Sequence, residues 1–159
     1  MWLLSTDRAQ LRFFASAGDA QKEGYVILSH VWDQSGEQTF QETQALCARC
    51  AKDGTNPRDL SSDKVRQSCQ LAEGQGYRWI WNDTCCIDKS SSSELSEALN
   101  SMYQYYSLAS VCYVYLRDVP TSSREELHAE RSPFRESIWH RRGWTLQVLS
   151  LRSHMSSSF

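Results

Sequence analysis

The sequence lacks any apolar run that approaches the roughly 20 residues of a membrane-spanning helix. Its first segment, Met1 to Asp7, is too short and too soon interrupted by charge to read as a secretory signal peptide. Both absences argue against a helical membrane protein and against a secreted protein. We therefore expect the chain to be cytoplasmic.

A surplus of basic charge is also missing. The chain has 17 Lys and Arg residues against 19 Asp and Glu residues, which gives a formal net charge of −2 at pH 7. Bulk electrostatics therefore provide no attraction to nucleic acid or to an anionic membrane surface. We expect no nucleic-acid partner.

A complete set of metal ligands is absent as well. Cys47 and Cys50 have the spacing of half a zinc site, but no second pair has comparable spacing, and the four histidines are scattered. We therefore expect no metal. In a reducing cytoplasm the six cysteines are expected to be free thiols, and Cys69, Cys86 and Cys112 have the apolar surroundings of small core residues.

The sequence does contain enough apolar residues, 40% of 159, to build the core of one domain. Short runs rich in β-branched and aromatic residues predict strands, and stretches with apolar residues at helical spacing predict helices. One helix should end at Gly74, and another follows Ser91 and Glu94, which have the spacing of a capping box. In chain order we predict a strand at 25–29, a helix at 63–73, a strand at 77–82, a helix at 94–107 and a strand at 111–116.

This alternation predicts an α/β domain with a central, mostly parallel sheet flanked by helices. Polar residues follow each predicted strand, at the edge where ligands gather in open parallel sheets. They include Ser29 and His30, with Trp32 close behind, then Asp83 and Asp118. A ligand-binding cleft is one interpretation of this edge. The other is that these residues only form turns and caps where strands meet solvent.

Three blocks of sequence occur in a characteristic order. The first is Tyr25-Val-Ile-Leu-Ser-His-Val-Trp32. The second begins with Tyr77-Arg-Trp-Ile-Trp-Asn-Asp-Thr-Cys-Cys-Ile-Asp88 and continues to Tyr106, and the third is Trp139-His-Arg-Arg-Gly-Trp-Thr-Leu-Gln147. Together they resemble the three motifs of the fungal heterokaryon-incompatibility (HET) domain. We expect one HET domain over residues 1–149, followed by an atypical, disordered tail over 150–159.

The resemblance implies a function. HET domains act in fungal non-self recognition, a form of innate immunity in which fused cells that differ genetically undergo programmed cell death. The family is remotely similar to TIR domains, which implies a TIR-like, flavodoxin-like architecture and signalling through protein partners or self-association. Many TIR domains cleave NAD, so the resemblance also makes NAD a candidate substrate.

One residue that the resemblance implies for catalysis is missing. HET domains commonly read Gly-Trp-Thr-Leu-Gln-Glu in the third block, whereas this chain has Val148 at the last position, four residues after Trp144. Cleavage of NAD develops positive charge on the ribose, which a carboxylate can stabilise. Glu94 and Asp83 are the candidate catalytic acids that are left. The capping-box spacing of Glu94 gives it an alternative, purely structural role.

Five residues are candidates for ligand binding. Arginine forks pair with phosphate oxygens, and tryptophan faces attract cations and stack on bases. The alternative for the third block is that its tryptophans pack on the sheet while its arginines stay solvated. The candidates are Ser29, His30, Trp32, Arg142 and Trp144.

Three interpretations of function stay open. The chain is a death-signalling interaction domain, a TIR-like NAD hydrolase that uses another carboxylate, or an inactive fragment of a larger HET protein. The valine in place of the expected glutamate favours the first of them.

Overall fold

The computed structural model describes residues 1–33, 35–120, 132–141 and 155–156. All the described strands belong to one sheet. They are β1 (Trp2–Ser5), β2 (Leu11–Phe13), β3 (Val26–His30), β4 (Trp79–Trp81), β5 (Val111–Tyr115) and β6 (Met155–Ser156).

Helices occupy most of the chain between the strands. Each of the two longest helices begins after a side chain that accepts a hydrogen bond from the backbone of the first turn. The helices are α1 (Ala17–Glu23), α2 (Phe40–Asp53), α3 (Pro57–Leu60), α4 (Asp63–Gly74), α5 (Ser92–Leu108), α6 (Pro133–Glu136) and a 3-10 turn (Ile138–Arg141).

The sheet is mixed. Its five main strands lie in the order β2-β1-β4-β3-β5, and the two-residue β6 extends it beside β5. Strand β3 runs parallel to both β4 and β5, whereas β1 pairs antiparallel with β2 and with β4. The prediction of an α/β class is confirmed, and its three strands form the parallel centre of the sheet. The antiparallel pair of β1 and β2 at one edge of the sheet was not predicted.

Helices cover both faces of the sheet, and the buried apolar residues between the layers form one core. On one face Trp79 and Trp81 of β4 pack toward α1 and α5, with the Trp81 and Tyr105 ring centroids 5.7 Å apart. On the other face the Tyr113 hydroxyl donates to Gln75, directly after α4, at 2.8 Å. Since i and i+2 residues of a strand share a face, β4 presents both tryptophans to the same layer.

The helix ends show which local signals the chain uses. Ser91 accepts from the backbone N–H of Glu94 at 3.3 Å, so one half of the expected capping box is present. The reciprocal half is missing because the Glu94 carboxylate accepts from the backbone N–H of Asp88 instead, at 3.1 Å. Helix α4 begins at the expected place, yet Ser62 makes no side-chain capping bond.

Helix α2 was not predicted, although it begins with a complete capping box. The Thr39 hydroxyl accepts from the Glu42 backbone N–H, and the Glu42 carboxylate accepts from the Thr39 backbone N–H. Gly54 ends the helix in the left-handed region with φ 76°, a conformation that costs glycine little. Both ends of this helix could therefore have been predicted from the sequence.

The segment after Ser132 does not form one continuous helix over its described part. Helix α6 ends before Ser137, and the 3-10 turn begins one residue later. Residues 142–149, the boundary at 149 and 150, and most of the tail predicted to be disordered lie outside the described residues. No described helix is long and apolar enough to cross a membrane. All six cysteines are free thiols, and five of them are buried.

Candidate functional site

The carboxyl ends of β3 and β4 bring two of the sequence blocks together. Ser29 and His30 are consecutive residues of β3, so their side chains point to opposite faces of the sheet. Asn82 and Asp83 follow β4 directly. This edge therefore has two sides, one with a cluster of charged groups and one closed by a tryptophan.

The charged cluster consists of His30, Glu37, Lys64 and Asp83. The His30 side chain is only 1% exposed, and those of Lys64 and Glu37 are 11% and 13% exposed. The Lys64 ammonium donates to the Glu37 carboxylate and to Nδ1 of His30, the latter at 3.1 Å. Buried charges are stable only when they are paired, and here a lysine from α4 meets a glutamate from the loop before α2.

Hydrogen bonds fix the tautomer of His30. Its Nε2 lies 2.9 Å from Oδ1 of Asp83 and 3.0 Å from Oδ1 of Asn82. The Asn82 oxygen also accepts from the Thr84 backbone N–H, which fixes the orientation of this amide. Because both oxygens are acceptors and Lys64 donates to Nδ1, the proton of the neutral ring lies on Nε2. His30 thus accepts a hydrogen bond from the Lys64 ammonium and donates one to the Asp83 carboxylate, so it connects the two charged groups.

Both oxygens of Asp83 have partners. Oδ1 accepts from His30, and Oδ2 accepts from the indole N–H of Trp32 at 2.9 Å. Burial acts to raise the pKa of Asp83. The hydrogen bond and positive charge of His30, the hydrogen bond from Trp32 and the charge of Lys89 together outweigh burial and hold the pKa below its ordinary value of 3.8. The Trp32 ring is 42% exposed, and the Lys89 ammonium lies 3.7 Å from its centroid. The carboxylate is therefore ionised and engaged rather than open to a ligand.

The lowered pKa of Asp83 predicts a loss of stability in acid. A group whose folded pKa is depressed stabilises the fold above its unfolded pKa, here 3.8, and that stability disappears as the pH falls through the lower folded pKa. At pH 6 we expect the wild type to exceed Asp83→Asn in free energy of unfolding by about 1.5–3 kcal/mol. Urea denaturation of both proteins from pH 6 to strongly acidic pH should show this difference shrinking below pH 3.8. A difference that stays constant with pH would contradict the assignment.

The opposite side of the edge is closed by Trp139. Its indole N–H donates to the Ser29 hydroxyl at 3.0 Å, and the side chain is buried. The turn that carries Trp139 is fastened to the end of β5, since Asp118 accepts from the Ser137 hydroxyl and from the Ile138 backbone N–H, both at 2.7 Å. For Trp139 the packing interpretation of the third block is the one that the geometry supports.

Glu94 belongs to a different part of the molecule. It lies in the first turn of α5, where it lines a cavity of about 250 Å³ together with Trp81 and Tyr105. Its backbone N–H donates to Ser91 and its carboxylate accepts from the Asp88 backbone N–H, and neither bond reaches the charged cluster. The two candidate catalytic acids, Glu94 and Asp83, therefore do not converge on one site.

The structure brings together only some of the predicted site residues. His30 and Trp32 both contact Asp83, and Ser29 lies on the other face against Trp139. Arg142, Trp144 and Val148 lie outside the described residues. The roles assigned to all these residues stay predictions.

Sequence reasoning missed Glu37 and Lys64. A signal for Lys64 was available, because a cation in the first turn of a helix opposes the helix dipole and calls for a compensating carboxylate. For Glu37 nothing in the sequence pointed to burial, since it lies in a polar loop. Within the described part of the chain, no group of three His, Cys, Asp or Glu residues could hold a metal ion.

The fold and the charged cluster together define a class of protein. It is a layered α/β domain in which residues of the first two sequence blocks meet at the carboxyl ends of β3 and β4. A family model described as Heterokaryon incompatibility protein (HET) matches residues 25–133. The chain belongs to the heterokaryon-incompatibility family. The match contains the first and second blocks, while the third block lies after it.

A curated relative supports the same family. The chain is 42% identical over 130 residues to Vegetative incompatibility protein HET-E-1 of Podospora anserina. That similarity covers 79% of this chain but 9% of the relative, so the chain spans about a tenth of that protein's length. No solved structure matches the chain, and the TIR-like part of the fold prediction stays a prediction.

Proposed function

We propose that this chain is a cytoplasmic signalling domain of fungal heterokaryon incompatibility that triggers cell death through protein contacts made by its own surface. Family membership supports the role in incompatibility. The exposed surface of α5 and the hydrogen bonds of the two candidate catalytic carboxylates support the proposed mechanism.

An exposed apolar pair on α5 is the observation that carries the proposal. Leu99 is 45% exposed and Tyr103 is 54% exposed. Residues four apart lie on the same face of a helix, so the two side chains form one patch, while Ala98, Met102 and Tyr105 are buried on a neighbouring face. Tyrosine is enriched and charged residues are depleted at the centres of protein interfaces. This surface is therefore suited to a protein partner or to a second copy of the chain.

The carboxylates favour signalling over NAD hydrolysis. Each oxygen of the Asp83 carboxylate accepts a hydrogen bond, from His30 and from Trp32, and the Glu94 carboxylate accepts from the backbone of the loop before α5. A hydrolase would need one of them to face the ribose, where positive charge develops. Moving Asp83 toward a substrate would break both hydrogen bonds of its carboxylate.

A cell-death assay tests the proposal. Expression of the chain in a filamentous fungus is expected to reduce viability, scored by uptake of a vital dye. Leu99→Gln combined with Tyr103→Gln should abolish the effect, because it removes the apolar contact area and keeps helix-compatible residues. The matched control combines Asn100→Ala with Gln104→Ala on the adjacent face of α5, and it should kill as the wild type does. Thermal unfolding of the purified variants checks that both are folded.

Two outcomes would contradict the proposal. One is undiminished killing by the folded Leu99 and Tyr103 variant. The other is robust nicotinamide release from NAD by the purified wild type that is lost in Glu94→Gln, which would make Glu94 a catalytic acid.

A further inference from the structure

A cavity at the carboxyl end of β4 has features that the proposed function does not use. It lies between the last residue of β4, the first residue of β1 and the first turns of α5, and its volume is about 250 Å³. This is slightly below the range of about 300–1,000 Å³ that holds drug-sized ligands, so the cavity suits a small molecule or a single side chain. It is also located at the end of the sheet where ligands of α/β folds usually bind.

Aromatic rings form much of the wall. Trp2, Phe13, Trp81 and Tyr105 all line the cavity. The Trp2 and Phe13 rings pack edge to face at 5.2 Å, and Trp81 and Tyr105 do the same at 5.7 Å. Aromatic faces carry negative charge density and attract organic cations.

Two carboxylates add to that attraction. Glu94 and Glu97 lie one helical turn apart on α5 and both line the cavity. Their effect on a cation is visible at Met1, whose ammonium donates to the Phe14 carbonyl oxygen at 3.0 Å. Burial lowers the pKa of this ammonium, while Glu97 and Glu94 act in the opposite direction. Glu94 and Glu97 therefore favour positive charge at this wall of the cavity.

An unused hydrogen-bond donor provides independent support. Trp81 lines the cavity and is 1% exposed, and its indole N–H has no hydrogen-bond partner among the described residues. A buried donor without a partner costs free energy, and such a group in a native structure calls for an explanation. A bound acceptor atom would satisfy it.

We propose that this cavity binds a small organic cation, an alkylated ammonium that also carries a hydrogen-bond acceptor. The aromatic walls hold the ammonium, Glu94 and Glu97 balance its charge, and the Trp81 N–H donates to the acceptor. The cation is either a free small molecule or an alkylated lysine side chain of a partner protein.

Three ligands of one shape test the charge requirement. Choline is positive, 3,3-dimethylbutan-1-ol is its neutral carbon analogue and 3,3-dimethylbutanoate is negative. Titration of the full chain, followed by the Trp81 indole N–H resonance assigned through Trp81→Phe, should show saturable binding of choline. The neutral alcohol should bind about tenfold more weakly, and the anion not at all.

Variants link that binding to the cavity. Glu94→Gln with Glu97→Gln should weaken choline about tenfold and leave the alcohol unchanged. Trp81→Phe keeps an aromatic wall and removes the N–H, so it should weaken both ligands about threefold to tenfold. Because this variant lacks the reporting resonance, its affinities are compared with those of the wild type by isothermal titration calorimetry. Glu136→Gln makes the same type of substitution at one exposed position away from the cavity and should leave the binding of both ligands unchanged.

A peptide with trimethyllysine distinguishes the two sources of the cation. Its binding at the same resonance would identify a partner side chain, and binding of choline alone would identify a free molecule. The proposal is overturned if neither ligand shifts the Trp81 resonance, if the alcohol binds as tightly as choline, or if the anion binds best. These results are independent of the cell-death assay, which tests a different surface.

Discussion

Replacement of Trp139 by alanine is expected to lower the free energy of unfolding by about 3–5 kcal/mol. Trp139 is one of the largest fully buried side chains, and its indole N–H donates to Ser29 across 110 positions of sequence. Alanine would leave a cavity between the last described turn and β3, and it would remove the partner of a buried hydroxyl. Urea denaturation followed by circular dichroism measures the change.

Two milder variants separate packing from hydrogen bonding at Trp139. Trp139→Phe keeps most of the ring volume but leaves Ser29 without its donor, so it should cost about 1–3 kcal/mol. Ser29→Ala removes the acceptor and should have a similar effect, because it leaves a buried N–H unpaired. If Trp139→Ala costs no more than Trp139→Phe, the ring does not contribute packing at the sheet edge and the observed arrangement is contradicted.

Replacement of Lys64 by methionine should destabilise the protein by about 3–5 kcal/mol. The substitution leaves the Glu37 carboxylate, 13% exposed, without its ammonium partner and removes the donor to Nδ1 of His30. Methionine retains an unbranched apolar chain, so the lost packing is small. The free energy of unfolding at neutral pH is the quantity to measure.

The double variant Lys64→Met with Glu37→Gln is the matched control. It removes both charges, so it should recover part of the stability that Lys64→Met loses. A loss below about 1 kcal/mol for Lys64→Met is the size expected of an exposed ion pair. That result would show that the cluster is solvated and would remove the basis for a buried relay to Asp83.

Much of the parallel core could be predicted from the sequence because its signals are local. The strand at 25–29 is an apolar run bounded by polar residues, and it forms as Val26–His30. The helix predicted at 94–107 forms as Ser92–Leu108, with its beginning set by Ser91. Periodicity and caps act within a few residues, so they can be read without knowledge of the rest of the chain.

The antiparallel strands β1 and β2 at one edge of the sheet were not predicted, and the reason is physical. Strands β1 and β2 have four and three residues, too few to establish an alternating pattern. Their strand conformation depends on pairing with each other and, for β1, with β4, far along the chain. Strand formation of this kind is decided by tertiary contacts more than by intrinsic preference.

Local sequence patterns are enough to predict the α/β class, the family and the polar residues that follow the strands, because each of these depends on residues that are close in the chain. Which of those polar residues meet depends on the tertiary structure. Strand order brings Asp83 to His30 and Trp139 to Ser29, and the turn after β3 brings Glu37 to Lys64. These pairs are 27 to 110 residues apart, and their contact depends on the order and twist of the sheet and on the packing of α4. Local sequence patterns do not encode that geometry, so the contacts of Asp83 with His30 and of Ser29 with Trp139 could not be predicted from them.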